Sequence, residues 1–294
     1  MSIMIKAFIK SICCILYLAT ASTAIGQNTE TTAFDYKRDF RAIFTKTQDD
    51  ESGFAYKKLL PRFLDRDTSL SKAEMLALLI GFTEDSHYKP FEDMETEKEI
   101  FDLNDQKDFT EGIASGRTYL QTHPLSLRVL KEVSYSYHML KNEDSANYYM
   151  DLVDKVMEAM IYSGIGKKPD SPIFSLGLSD GEYFIENIGM KVLNKNTDWN
   201  KDNQFMEIID ASKNMDDHIN YFFVIQHAKE KIDDEKVNDS ADKKKKKPKF
   251  DKKSKDKEKE KVKEKPKFDK KSKKDKLVNE PVLQVVTDSL QNKN

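Results

Sequence analysis

Three successive runs between Phe109 and Ser163 place apolar residues three and four apart, and that spacing constrains the chain more than any other feature. The first run carries Ala114, Gly116, Tyr119 and Leu120 and stops at His123–Pro124. The second carries Leu127, Leu130, Val133, Tyr137 and Leu140, and the third, starting near Asp144, carries Ala146, Tyr149, Leu152, Val156 and Met160. Such a period aligns the side chains along one stripe of an α-helix, so each helix has a face that it must bury. Breaks this short turn the chain back on itself. The pattern therefore predicts helical hairpins packed through their stripes.

Ala114 and Ala146 stand 32 residues apart. The pattern A-x-G-x-x-Y-L-x-x-x-P, followed by L-K-N-E-D-S-A-x-x-Y, resembles one tetratricopeptide-style unit and the start of another. Upstream, SKAE at Ser71–Glu74 just ahead of MLALLI reads as a capping box opening a buried helix that ends at Gly81. A helix at Phe54–Leu64 precedes it, and a short helical piece is expected around Tyr36–Phe44. The acidic stretch Glu92–Asp108 offers few core positions and reads as an exposed loop or surface helix. After Ser163 the pattern changes. Gly164–Pro172 is rich in turn formers, PIFSLGL alternates as a strand, SDGEYFIENIG reads as a short helix capped by Ser179 or Asp180, and MKVLN is a further strand. Two more strands are expected at Phe205–Ala211 and Ile219–Ile225, joined by a polar turn. The fold class read from this order is α+β: N-terminal helical hairpins with tetratricopeptide-like local packing over 50–163, then a small β-rich unit over 164–232.

Both ends differ from this body. Residues 1–26 have the parts of a secretory signal: Lys6 and Lys10, an apolar stretch including Ile12–Ala19, and the small-residue end ASTAIG, with cleavage expected after Gly26. Export to the periplasm, the cell surface or the medium is the expectation, with no transmembrane segment in the mature chain. Cys13 and Cys14 both lie in the signal, so the mature chain has no cysteine for disulfides, thiol nucleophiles or Cys-ligated metals. Residues 27–49 read as a flexible leader. From Asp233 to Asn294 the core signal stops, and a Lys-rich tail unable to offset its ordering entropy is expected to be disordered. It repeats KPKFDKKSK at Lys247–Lys255 and Lys265–Lys273. Residues 27–232 hold 25 Lys and Arg against 37 Asp and Glu, a net of −12, whereas 233–294 hold 22 against 14, a net of +8. Lys243, Lys244, Lys245, Lys246 and Lys247 head the basic run and are the candidate contacts for a polyanion or an anionic surface. No base-reading module appears, so sequence-specific nucleic acid is not an expected partner.

Candidate chemistry is sparse. His87, His123, His138, His218 and His227 form no H-E-x-x-H or other close metal pattern, and neither a metal nor a cofactor is expected. Gly164 and Gly166 begin a G-x-G that comes after a helix, where a dinucleotide fingerprint would come after a strand. Asp180 and Glu182, with Tyr183 beside them, are weak candidates for an acid/base pair, although acidic residues also suit a helix start electrostatically.

The stretch LLPRFLDRDTSLSKAEMLALLIGF places Arg62, Phe63, Asp67, Leu70, Glu74 and Gly81 in an R-F…D…L…E…G pattern, with Tyr88 and Pro90 beyond it. Together with YLQTHPLSLRVLKEVSYSYHML, the Gly164–Gly166 turn and the Asp180, Glu182 and Tyr183 segment, it resembles DUF4919, a domain family of unknown function from exported Bacteroidetes-type proteins. The resemblance covers roughly Asp50 to Ala228. Where the family more often has an aromatic pair before the glycine this chain has Leu79–Ile80, and Gly181 interrupts the family's D-E-Y. The resemblance implies a domain extent and an exported bacterial source, and it carries no activity. The expected function is a non-catalytic envelope protein with a protein partner. The alternatives are a hydrolase using Asp180 and Glu182, or a polyanion binder acting through the tail.

Overall fold

The structure, a computed structural model, describes residues 34–214 and 217–245. The expected signal, and the lysine tail beyond residue 245, lie outside the described residues.

Among the described residues seven helices precede the sheet: α1 (Tyr36–Gln48), α2 (Tyr56–Leu64), α3 (Lys72–Phe82), α4 (Pro90–Asp105), α5 (Phe109–Leu120), α6 (Leu127–Met139) and α7 (Glu143–Ser163). The stripes read from the sequence meet as expected, with α5 packed on α6 and α6 on α7. At the centre lies α3, whose residues Met75–Phe82 are all buried. Its capping box is complete: Ser71 N donates to Glu74 Oε2 at 2.8 Å and Glu74 N donates to Ser71 Oγ at 3.2 Å. Gly81 sits inside α3 and does not end it. A Cβ there would stand 3.0 Å from Tyr56 Cδ2 and 3.1 Å from Thr47 Cβ, so the missing side chain lets α1 and α2 approach. Two helix ends, after α4 and α6, close with a lysine in the left-handed region, Lys107 and Lys141, both at φ 64°. Asp108 N then donates to Leu103 O and Asn142 N to Tyr137 O, both at 2.9 Å, which satisfies carbonyls of the last turn.

Three boundaries depart from the sequence reading. Residues 36–48 form a full helix, because Tyr36, Phe40, Ile43 and Phe44 make one stripe against the core; the charges between them are what suggest a flexible leader. The acidic stretch is also a helix, but α4 buries Glu97, Ile100 and Asn104 on its inner face. At the far end α9 (Gln226–Lys245) runs through the expected boundary at residue 232.

The β-rich unit comprises β1 (Ile173–Phe174), α8 (Asp180–Asn187), β2 (Lys191–Trp199), β3 (Phe205–Ser212) and β4 (Ile219–Val224). Strand order is β1-β4-β3-β2, with β1 parallel to β4 and the other pairs antiparallel. PIFSLGL thus contributes only a two-residue strand before turning into α8, while the strand expected at MKVLN extends to Trp199 because β3 pairs along its whole length. Gly166, at φ +71°, pins the preceding crossing to the sheet: Phe222 N donates to its carbonyl at 2.7 Å. β2 lies at the sheet edge with nearly every residue exposed and its register shifted between Val192 and Asn194.

One continuous core joins the helices to the sheet. Phe63, Phe174 and Phe223 are among its largest fully buried side chains, each stabilising the fold by about 1.5–3 kcal/mol through burial. Phe174 stacks on His227 with ring centroids 4.7 Å apart, and Tyr36 and Phe40 of α1 cover both. Burial holds the His227 imidazole down to about 4, so it is neutral in the core.

Candidate functional site

Two places in the molecule gather groups capable of chemistry or recognition. The first is a buried polar seam where α4 meets the loop leading into α8. Glu97 lies on the inner face of α4 and receives two hydroxyls: Ser126 Oγ donates to Oε1 at 2.7 Å, and Ser179 Oγ donates to Oε2. Ser126 also caps α6 by accepting from Val129 N at 3.2 Å. One carboxylate therefore ties together α4, α6 and the entry to α8. Ser179 occupies the cap position of α8 but spends its hydroxyl on Glu97 instead of on the helix. Asp180 is buried next, and its Oδ2 accepts from Gly177 N at 2.7 Å. Burial and the neighbouring Glu97 push its carboxyl up to about 7, and burial also raises Glu97.

On the far wall His123 Nε2 lies 3.1 Å from Asp93 Oδ1 and 2.8 Å from the His87 carbonyl. Its ring stacks on Tyr119 with centroids 4.0 Å apart and planes 3° from parallel. Burial alone would lower this imidazole, but Asp93 and the His87 and Tyr119 carbonyls outweigh it and raise the pKa above the ordinary value. These groups line a partly open pocket of about 20 Å³, room for roughly one water molecule.

The two acids singled out by sequence face different parts of the molecule. Residues two apart on a helix point to opposite sides. Asp180 faces the seam, while Glu182 faces the sheet, where its Oε1 lies 2.5 Å from Lys195 Nζ. Lys195 also reaches Glu207 Oε1 at 3.5 Å. Burial pushes Glu207 up to about 7 despite that lysine. Of the histidines, His138 and His218 are exposed and pair with Glu143 and Asp210. Among the described residues no group of His, Cys, Asp and Glu has the arrangement to hold a metal ion, and no helix is long and apolar enough to cross a membrane.

The residues that carried the family pattern hold the architecture. Arg62 Nε lies 2.7 Å from Asp67 Oδ2 and its Nη1 2.6 Å from Glu74 Oε1, which locks the turn between α2 and α3. Phe63 is fully buried, Tyr88 Oη donates to the Leu176 carbonyl at 2.7 Å, and Pro90 begins α4. Gly164 and Gly166 shape the crossing to the sheet. Of the basic run, Lys243–Lys245 close α9, and Lys246 and Lys247 lie outside the described residues.

The second place is an open groove of about 430 Å³ where the end of α4 and the start of α5 face α6 and α8. Phe101, Tyr135 and Met139 line it and stay 40%, 46% and 39% exposed. Phe109 meets Tyr135 edge-on with centroids 5.9 Å apart. Asp105, Lys107 and Glu186 stand among the lining side chains. Beneath lies a buried network. Tyr183 Oη donates to Glu132 Oε1 at 3.1 Å, Asn104 Nδ2 donates to Glu132 Oε2 at 2.8 Å, and Ser136 Oγ donates to Asn104 Oδ1 at 2.6 Å. The Arg128 guanidinium lies over the Phe101 and Tyr183 rings, 5.2 and 4.9 Å from their centroids. The floor is therefore fixed, while the apolar rim faces solvent.

The sequence places Tyr183 in the family pattern and sets Tyr135 and Tyr137 close enough together that one must face outward. Nothing in it points to the groove. Tyr137 packs on Tyr149, which leaves Tyr135 outside.

Residues 41–234 match the family described as Domain of unknown function (DUF4919), and the chain belongs to that family. No curated protein and no solved structure matches it.

Proposed function

We propose that this member of the DUF4919 family is an exported, non-catalytic envelope protein that holds a segment of a partner polypeptide in the groove between α4, α6 and α8. The observation that carries this reading is the exposure of Phe101, Tyr135 and Met139 around one depression. Solvent-facing aromatics over a rigid, hydrogen-bonded floor are the features of a recognition surface, where large side chains bury area at little cost in conformational freedom. The signal-like N-terminus supports export, to the periplasm or the cell surface. The hydrolase alternative draws less support, since Asp180 and Glu182 face opposite sides and the cavity beside Asp180 is about 20 Å³.

The test is a peptide array carrying aromatic residues in varied contexts, probed with the full chain and with its Tyr135→Ser and Phe101→Ser variants. The parent is expected to retain a subset of peptides, and each variant to lose at least about tenfold in affinity for that subset. Equal retention by parent and variants, or none by either, sinks the reading.

A further inference from the structure

The outer face of α4 is acidic along its length. Glu92, Glu95, Glu99, Asp102 and Asp105 succeed one another at three or four residues, which aligns them on one side of the helix. Glu92 and Asp102 pair with Lys89 and Lys98. Glu95, Glu99 and Asp105 are exposed and have no ion-pair partner among the described residues. This row ends at the groove, where Asp105 and Phe101 are both lining residues. At its other end stands Lys89, close enough to Glu235 of α9 to feel its charge, and α9 packs against α4. The chain thus leaves the fold beside a helix whose free face is negative and whose far end opens into an aromatic depression.

The sequence C-terminal to α9 complements both features. Lys243–Lys276 hold 20 lysines against 7 acidic residues, and their apolar side chains are Phe250, Val262 and Phe268 alone apart from prolines. Both phenylalanines occur in the same context, KPKFDKKSK. For the second copy the distance is not limiting. Phe268 lies 23 residues after Lys245, a span of up to roughly 75 Å when extended, against about 24 Å for the length of α4 at its helical rise.

We propose that the chain's second KPKFDKKSK copy, Lys265–Lys273, occupies the groove, its phenylalanine among the aromatic side chains and its lysines on the acidic face of α4, so that the tail competes with the partner polypeptide. The proposal rests on the groove being a recognition site. It makes the tail a built-in regulator of access. Ion pairing on an exposed helix face is screened by salt, so high salt releases the tail.

The test compares the full chain with a Phe250→Ala/Phe268→Ala double variant, using a fluorescein-labelled KPKFDKKSK peptide and hydrogen exchange across Phe101–Phe109 and Lys131–Met139. Three results are expected. Exchange in those segments speeds up several-fold in the double variant. The labelled peptide binds the double variant at least tenfold more tightly than the parent, and raising salt from 50 to 500 mM weakens that binding at least tenfold. A KPKADKKSK peptide binds at least tenfold more weakly. If array peptides bind parent and double variant equally, and still depend on Tyr135, the tail proposal fails while the groove stands. If no peptide binds either protein, the groove itself fails. Protection of the groove that rises with protein concentration, in step with a dimer in sedimentation, overturns the intramolecular contact.

Discussion

The seam around Glu97 and the groove around Tyr135 are built from the same three helices, α4, α6 and α8, with polarity distributed in opposite ways. In the seam, Glu97 and Asp180 are buried and hydrogen-bonded beside a pocket of about 20 Å³. In the groove, aromatic side chains are exposed over a depression of about 430 Å³. Burying Glu97 and Asp180 costs desolvation that only their hydrogen bonds offset, and the return is a join between the helices and the β-rich unit. Leaving Phe101 and Tyr135 in water adds little to folding, so what they offer is directed outward. Sites with the most titratable groups are therefore not automatically the sites of function. On the function proposed above, the chemistry-rich region is a fastening and the chemistry-poor one a face.

That contrast can be tested, and the largest effect is expected in the seam. Glu97→Ala leaves two buried hydroxyls without their acceptor and should lower unfolding free energy by about 2–4 kcal/mol in urea titrations. Glu97→Gln, which keeps one acceptor oxygen, should lose less. A loss below about 0.5 kcal/mol would mean that the seam does not fasten the two parts.

Next comes Asp180. Its carboxyl is raised to about 7 in the fold, against about 3.9 in an unfolded chain. A raised carboxyl stabilises fully below the unfolded value, and that stability is lost as pH climbs through the folded value. The parent should therefore lose on the order of 2–4 kcal/mol relative to Asp180→Asn between about pH 4 and pH 8. His227 acts in the opposite direction between its folded value of about 4 and the ordinary 6.5 in both proteins, and Glu97 and Glu207 feel the Asp180 charge, so the difference between parent and variant reports Asp180 together with its coupling to those two acids. Thermal unfolding across that pH range would show parallel curves if Asp180 were wrongly placed.

In the groove the expected stability change is small. Tyr135→Ser should shift unfolding by no more than about 0.5 kcal/mol while removing peptide retention. A loss comparable to that of Glu97→Ala would make Tyr135 a structural residue. Smallest of all, Lys141→Gly should raise stability by about 0.5 kcal/mol by relieving the left-handed backbone, net of the glycine's greater freedom when unfolded. Urea midpoints with unchanged slopes would check it.

Much of the helical part was legible because its signals are local. Ser71 and Glu74 meet within one turn, and the stripes from Leu127 to Met160 need only the helical period to declare which face is buried. The seam was not legible for the converse reason. Glu97 looks like any charge in an acidic run until Ser179, 82 residues later, closes over it. Asp180 and Glu182 draw notice by proximity in sequence, yet helix geometry sends them to opposite sides. The groove escaped because Phe101, Tyr135 and Tyr183 come from three separate helices, and nothing local brings them together. Charge makes α1 look like a loose leader, whereas the spacing of Tyr36, Phe40, Ile43 and Phe44 already contains its stripe.

The outer strand of the sheet carries a consequence for life at high concentration. β2 offers nine residues of edge backbone that another chain could extend. The shifted register between Val192 and Asn194 and the exposed Lys191 make that edge a poor template. Straightening it, with Lys191 replaced by threonine and Lys195 kept for its pairing with Glu182 and Glu207, should promote stacking of strand upon strand. Turbidity on concentration would report the change, and Lys191 would then be valued for the assemblies it prevents.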